Sequence, residues 1–182
     1  MQHPASSFYG KNPELQRGLG HPKILVLGDA MLDRYTWGRA ERVSPEAPVL
    51  ILNVDERDVR LGGAASVAVL LRALEAETTL ASVIGDDHDG RTISRLIDEA
   101  GINAAPTLLD PCRPTTVKER FLGRCEQRQS HQILRVDTES RSPLDDNLTG
   151  KMLEALLGMA PSDNLLMTFD GFAVSQGDVA GA

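Results

Sequence analysis

The stretch KILVLGDAMLD (residues 23–33) decides the fold of this chain. Its first part, Lys23–Gly28, is a short apolar run that ends at a glycine, which is typical of a buried strand in a parallel sheet. Two carboxylates, Asp29 and Asp33, follow directly. Because ligands of open α/β sheets bind beyond the carboxyl ends of the strands, an acid here is a candidate acceptor for ligand hydroxyl groups. A helix cap or a solvated loop acid is the alternative.

Helices and further strands follow this first strand in alternation. Apolar residues share one helical face over residues 64–74, and a second helical stripe over 93–100 ends before Gly101. Ser142-Pro143 has the form of a helix start, with proline at the first position. Further apolar runs predict strands at residues 49–54, 78–84 and 164–169. This rhythm predicts an α/β fold with a mostly parallel sheet.

Two segments, 34–60 and 115–137, fit that rhythm less well and could form a small separate sheet. The second segment contains two strand candidates. On a strand, Thr116, Lys118 and Arg120 would point to one face, and two cations with a hydroxyl there would suit a phosphate group. An exposed strand face with ordinary charges is the alternative interpretation.

Two adjacent glycines, Gly62 and Gly63, precede the first predicted helix. Glycines at this position let the backbone approach a ligand and direct free N–H groups towards it. The alternative is a tight turn into a buried helix. The stretch lacks the GK[ST] ending of a Walker A loop, and it is not a G-x-G-x-x-G dinucleotide sequence.

The composition argues against several classes of protein. The 182 residues carry a formal net charge of -7, so a general nucleic-acid-binding surface is not expected. No apolar run reaches membrane-spanning length, and the polar residues 1–22 predict a disordered extension rather than a signal peptide. Cys112 and Cys125 form no C-x-x-C pair, and we expect free thiols in a reducing cytoplasm.

Together these features resemble the ribokinase-like (PfkB-type) carbohydrate kinases over about residues 23–139. Within that family the chain is most similar to the D-glycero-β-D-manno-heptose 7-phosphate kinases of ADP-heptose and lipopolysaccharide-precursor synthesis. The lid stretch 44–48 favours these over family kinases for a fructose phosphate or a nucleoside. The matching stretches are VLGDAMLDRYTWG (26–38), RVSPEAPVLILNV (42–54), LGGAASVA (61–68), VIGDDHDG (83–90), TTVKERFLG (115–123) and HQILRVDTE (131–139).

The resemblance implies a three-layer α/β sandwich over residues 23–170, with a small β-lid built from 34–60 and 115–137. It also implies a sugar phosphate as the ligand and a homodimer through the lid. Asp33 would hold sugar hydroxyls, and Lys118 and Arg120 would face the phosphate or the lid opening. The substrate-binding residues that the resemblance implies are Asp33, Gly62, Gly63, Ser66, Lys118, Arg120 and Asp170.

The chain departs from the family pattern at a few positions. Ser66 stands where the glycine-rich motif usually has Asn, and Ser has a shorter reach and no amide group. Glu75 stands where Gly or Ser is usual. After Leu166 the sequence leaves the family pattern, and Asp170 would replace the acid of the usual Ser-Asp-Tyr-x-Lys-Gly stretch.

The family's catalytic loop, Gly-Ala-Gly-Asp at a helix N-terminus, does not occur in the 182 residues. In the family, its Asp deprotonates the sugar hydroxyl, and the ATP and Mg²⁺ site lies in the same part of the domain. We therefore expect a truncated kinase domain without catalytic residues, bound ATP or Mg²⁺, followed by a divergent tail at 171–182. A non-catalytic sugar-phosphate-binding or dimerisation module is the alternative from another class.

Overall fold

The computed structural model describes residues 21–124, 129–159 and 164–167. Its elements, in chain order, are β1 (Lys23–Leu27), β2 (Ala30–Val43), β3 (Leu50–Gly62), α1 (Gly63–Ala73), β4 (Glu77–Gly85), α2 (His88–Glu99), β5 (Thr107–Asp110), β6 (Val117–Arg124), β7 (His131–Thr138), α3 (Asp146–Leu157) and β8 (Asn164–Met167). None of these three helices has the length and apolar composition that crossing a bilayer requires. The predicted extension up to residue 20, the tail 171–182, Cys125 and Asp170 lie outside the described residues.

The core sheet is parallel, with the strand order β5-β4-β1-β8, and helices cover both of its faces. Alternate residues of β1 point to opposite faces. Val26 packs in one cluster with Ala68 of α1 and Ile97 of α2, whereas Leu25 packs in a second cluster with Met152 of α3. The predicted α/β class and its three layers are therefore confirmed.

A second sheet, called the lid sheet below, has the strand order β3-β2-β6-β7. β2 runs antiparallel to β3 and parallel to β6, and β7 returns antiparallel to β6. The root of this sheet is apolar, because Leu32, Leu61 and Val117 pack into the core cluster. Further out the sheet is polar, and every residue of β7 is exposed.

The structure corrects the predicted start of helix α3. The helix begins at Asp146 and not at Ser142-Pro143. The Asp145 carboxylate caps it by accepting a hydrogen bond from the Leu148 N–H at 2.8 Å. A side-chain cap satisfies one of the orphan N–H groups of the first turn, an advantage that proline at the first position does not provide.

β2 and β5 are two strands that the apolar patterns did not mark individually. The predicted lid segment 34–60 contains most of β2, which starts earlier, at Ala30. β2 runs through a polar stretch because it pairs with β3 on one side and with β6 on the other. Gly38 allows this pairing, since a Cβ there would lie 2.3 Å from the carbonyl oxygen of Asn53. β5 has only four residues, too few for a recognisable alternation.

The lid sheet joins the core at a hydrogen-bonded junction around Asp87. The carboxylate accepts bonds from the Gly90 N–H at 2.7 Å, the Thr115 hydroxyl at 2.7 Å and the Thr115 N–H at 2.8 Å. The Thr115 hydroxyl oxygen in turn accepts the Gly85 N–H at 3.0 Å. Burial raises the pKa of the Asp87 carboxyl, but these hydrogen bonds outweigh it and the pKa is lowered. The junction thus fixes β4, α2 and the start of β6 to one another.

Candidate functional site

Asp33 lies in β2 at the root of the lid sheet, between Arg60 of β3 and Lys118 of β6 in the strand registers. Its Oδ1 accepts a hydrogen bond from Nη1 of Arg120 at 2.5 Å, and 19% of its side chain is exposed. Its Oδ2 faces Gly62, where a Cβ would lie 2.8 Å away. Glycine at this position therefore leaves the space that the carboxylate occupies.

The Arg120 guanidinium is held by three neighbours. Besides Asp33, its Nη1 donates to the carbonyl oxygen of Lys118 at 3.3 Å, and its Cζ lies 5.3 Å from the centre of the Tyr35 ring. Burial lowers the pKa of Arg120, but the hydrogen bond and charge of Asp33 outweigh this and the pKa is raised. The guanidinium and the carboxylate therefore form a fixed, charged pair.

Lys118 lies on the same face but has different surroundings. Its register neighbours are Asp33 on β2 and Asp137 on β7. Both acids bond to arginines instead, Asp33 to Arg120 and Asp137 to Arg135 at 2.8 Å. Among the described residues, the half-buried Lys118 has no hydrogen-bond or ion-pair partner for its ammonium group. A cation is thus available next to Asp33 for an anionic ligand.

Helix α1 starts beside this carboxylate. Gly63 has a φ of 56°, in the left-handed region, and a Cβ there would lie 2.4 Å from the carbonyl oxygen of Asp29. The same carbonyl accepts the Ala64 N–H at 2.8 Å, and the Ser66 hydroxyl donates to the carbonyl of Gly63 at 2.7 Å. Gly63 and Ser66 thus build the turn into α1. No side chain of the described residues caps the N-terminus of this helix with a hydrogen bond.

The structure therefore brings Asp33, Gly62, Lys118 and Arg120 together, with Gly63 and Ser66 at the start of the adjoining helix. Of the predicted site residues, Asp170 alone lies outside the described ranges. The site combines a carboxylate, which can accept hydrogen bonds from hydroxyl groups, with cations of the kind that can bind a phosphate. In the described part of the chain, no group of three or more His, Cys, Asp or Glu residues could hold a metal ion.

Sequence reasoning missed an aromatic pair and an arginine on this face. Tyr35 stacks on Trp37, with ring centroids 5.3 Å apart and an angle of 13° between the rings. The Arg60 Cζ lies 5.1 Å from the centre of the Tyr35 ring. The two-residue alternation from Asp33 through Tyr35 to Trp37 was a usable signal once β2 is known to be a strand. Arg60 can be assigned to this face only from the register between β2 and β3.

Known proteins share the sequence pattern and the fold of this chain. Residues 21–146 match the sequence profile of the pfkB family carbohydrate kinases. The bifunctional protein HldE of Trichlorobacter lovleyi is 42% identical over 134 residues, and the HldE protein of Helicobacter pylori is 44% identical over 132 residues. These alignments cover 74% and 72% of this chain. They cover 26% and 28% of the relatives, so the chain spans about a quarter of the length of the curated relatives it matches.

Solved structures show the same fold. Phosphofructokinase-2 from Escherichia coli, in complex with fructose-6-phosphate, has a TM-score of 0.60 at 17% sequence identity, over 81% of this chain and 45% of that protein. A carbohydrate kinase from Agrobacterium tumefaciens has a TM-score of 0.58 at 22% identity, over 80% of this chain and 45% of that protein. The predicted ribokinase-like fold is confirmed. Because the family match spans more than half of the chain, the protein belongs to the pfkB family of carbohydrate kinases.

Proposed function

We propose that this chain is the sugar-binding part of an ATP-dependent kinase that phosphorylates the anomeric hydroxyl of D-glycero-β-D-manno-heptose 7-phosphate. One observation carries the proposal. The carboxylate of Asp33 and the cations Lys118 and Arg120 converge at the root of the lid sheet, in a chain about 40% identical to HldE proteins.

Each site residue has a proposed role in holding the sugar phosphate. Asp33 accepts hydrogen bonds from sugar hydroxyls, since its two oxygens offer more acceptor positions than Arg120 uses. Gly62 leaves room for the Asp33 carboxylate and Gly63 forms the turn into α1, so that the backbone at the start of this helix can lie against the sugar, and Ser66 offers a hydroxyl nearby. Lys118 and Arg120 supply positive charge, and we assign Asp170 to the same site by its place in the sequence.

We assign ATP and Mg²⁺ to the complete family domain and not to the residues of this chain. Phosphoryl transfer depends mainly on positioning the reactants and on stabilising charge on the transferred group. The described residues contribute to the first task by binding and orienting the sugar. The base and the anion-binding amides belong to the Gly-Ala-Gly-Asp loop, which the sequence lacks. We also propose that the kinase works in the cytoplasm.

A homodimer through the lid sheet is part of the proposal. Val136 of β7 is opposite Glu119 in the strand register, and Glu119 is opposite Arg34, so Val136 lies on the face away from Asp33. Val136 and Leu134 are 44% and 55% exposed. An apolar patch on that face would suit a partner subunit and leave the sugar site open. Sedimentation of Leu134→Glu, expected to be monomeric, tests this contact.

The kinase proposal is tested by ATP-dependent phosphorylation assays with heptose 7-phosphate, fructose 6-phosphate and a nucleoside. The 182-residue chain is assayed alone and joined to the C-terminal part of the Trichlorobacter lovleyi HldE kinase. We expect turnover only from the joined protein, because missing catalytic elements cost many powers of ten in rate, and a preference for the heptose. Turnover by the chain alone, abolished by Asp33→Ala, would contradict the catalytic assignment. A preference for another acceptor would contradict the substrate.

A further inference from the structure

The two cations predicted to act alike on a phosphate have different environments. Arg120 is 21% exposed, and its guanidinium contacts Asp33, the Lys118 carbonyl and the Tyr35 ring. The ammonium of Lys118 has no such partner among the described residues. Equal charge and equal orientation on one strand therefore do not give the two residues equal freedom to meet a ligand.

A phosphate bound at Arg120 would share a guanidinium whose Nη1 already donates to Asp33 and to the Lys118 carbonyl. It would either displace the Asp33 carboxylate and leave a charge without its partner, or bind the remaining N–H groups and place a second anion against that carboxylate. Both outcomes would disturb the residue proposed to hold the sugar hydroxyls. Binding at Lys118 carries no such cost, because no carboxylate holds the ammonium.

Tyr35 completes the support of Arg120. Its ring stacks on Trp37 on β2, and it is opposite Arg120 in the β2–β6 register. A guanidinium near an aromatic face is attracted to it and loses rotational freedom there. Arg120 is therefore held from the acid side and from the ring side.

We propose that Arg120, supported by Tyr35, is a positioning residue for Asp33, and that Lys118 is the cation of this pair that binds the substrate phosphate. The inference deepens the proposed function and rests on it. It assigns selectivity for a phosphorylated sugar to Lys118, and overall sugar affinity to Arg120 and Tyr35.

The test compares dissociation constants of the 182-residue chain for heptose 7-phosphate and for the unphosphorylated heptose, by calorimetry. Lys118→Gln should weaken the phosphorylated sugar about ten-fold or more and change the heptose less than about two-fold. Arg120→Gln should weaken both sugars by the same factor. Tyr35→Phe, which keeps the ring, should match the wild type, whereas Tyr35→Leu should follow Arg120→Gln. The control is Arg124→Gln, an exposed arginine elsewhere on β6, which should change neither constant.

The outcomes separate this inference from the proposed function. Wild-type chain that binds neither sugar would overturn the proposed function, and this inference with it. Wild-type binding together with a selective loss of the phosphorylated sugar in Arg120→Gln would overturn this inference alone. If Tyr35→Phe weakens sugar binding as much as Tyr35→Leu does, the aromatic ring is not what supports Arg120.

A second measurement does not depend on ligand. Double-mutant cycles in chemical unfolding compare Asp33→Asn with Arg120→Gln and Asp33→Asn with Lys118→Gln. We expect the first pair to couple by about two-fold or more in the unfolding equilibrium constant and the second pair to show no coupling. Coupling of Asp33 to Lys118 and not to Arg120 would overturn the assignment.

Discussion

The core sheet and the lid sheet of this chain are both built from β-strands, but they differ in burial and polarity. In the core, Val26, Leu80, Ile93 and Ile97 are completely buried, and the strands are apolar. In the lid sheet, arginines and acids form ion pairs across neighbouring strands, and β7 is wholly exposed. The difference predicts that most of the stability comes from the core, whereas the groups that can bind a ligand lie on the lid sheet near its root.

The largest expected effect separates the two regions by stability. Ile97→Ala removes a fully buried side chain from the core cluster and should lower the free energy of unfolding by about 2–5 kcal/mol. Leu50→Ala, at a 55% exposed position of the lid sheet, should cost less than about 1 kcal/mol. Urea unfolding of both variants provides the measurement. Equal losses would mean that the lid sheet contributes to stability as the core does.

A smaller effect is expected at the junction between the regions. Asp87→Ala removes the cap of α2 and the bonds to Thr115, and should cost about 1–2 kcal/mol. The control is Asp145→Ala. Asp145 caps α3 through a single bond to Leu148, so this variant should lose less stability. If both variants lose the same stability, the bonds to Thr115 do not contribute.

The charge of Asp87 gives the junction a pH dependence. Its pKa is lowered in the folded protein from the ordinary value of 3.8, so the charged form stabilises the fold. That contribution is present above pH 3.8 and is lost as the pH falls through the folded-state pKa. Asp87→Asn should therefore lose less stability on acidification than the wild type. Identical acid unfolding curves for the wild type and Asp87→Asn would show that the charge of this carboxylate does not stabilise the fold.

The smallest expected effect concerns the ion pair that links the lid sheet to α2. Arg34 of β2 bonds to Asp89 of α2 at 2.5 Å, with both side chains less than one-third exposed. A double-mutant cycle with Gln and Asn should give a coupling of about 0.5–1 kcal/mol. The exposed pair of Arg95 and Glu99 within α2 is the control and should give about 0.3–0.5 kcal/mol. If the coupling between Arg34 and Asp89 is weaker than that of the control pair, this ion pair does not hold the lid sheet to α2, and the Asp87 junction is the main link between them.

The same division explains what could be predicted from the sequence. Core elements were predictable because burial imposes a regular apolar pattern, as in 23–28 and in the stripe that contains Ile97. The glycines before α1 were found as well, but the contact of Gly62 with Asp33 was not, since it depends on how β2 and β3 pair. The Asp33–Arg120 bond joins residues 87 positions apart, and no local pattern contains the register that creates it.

The most direct test of the central claim is the affinity of the 182-residue chain for heptose 7-phosphate, measured by calorimetry before and after Asp33→Ala. Removing the carboxylate leaves bound hydroxyls without an acceptor, so the variant should lose about 1–3 kcal/mol of binding free energy. Asp55→Ala, which removes an acid elsewhere on the lid sheet, should bind as the wild type does. Equal affinity of Asp33→Ala and the wild type would contradict a sugar site at the root of the lid sheet.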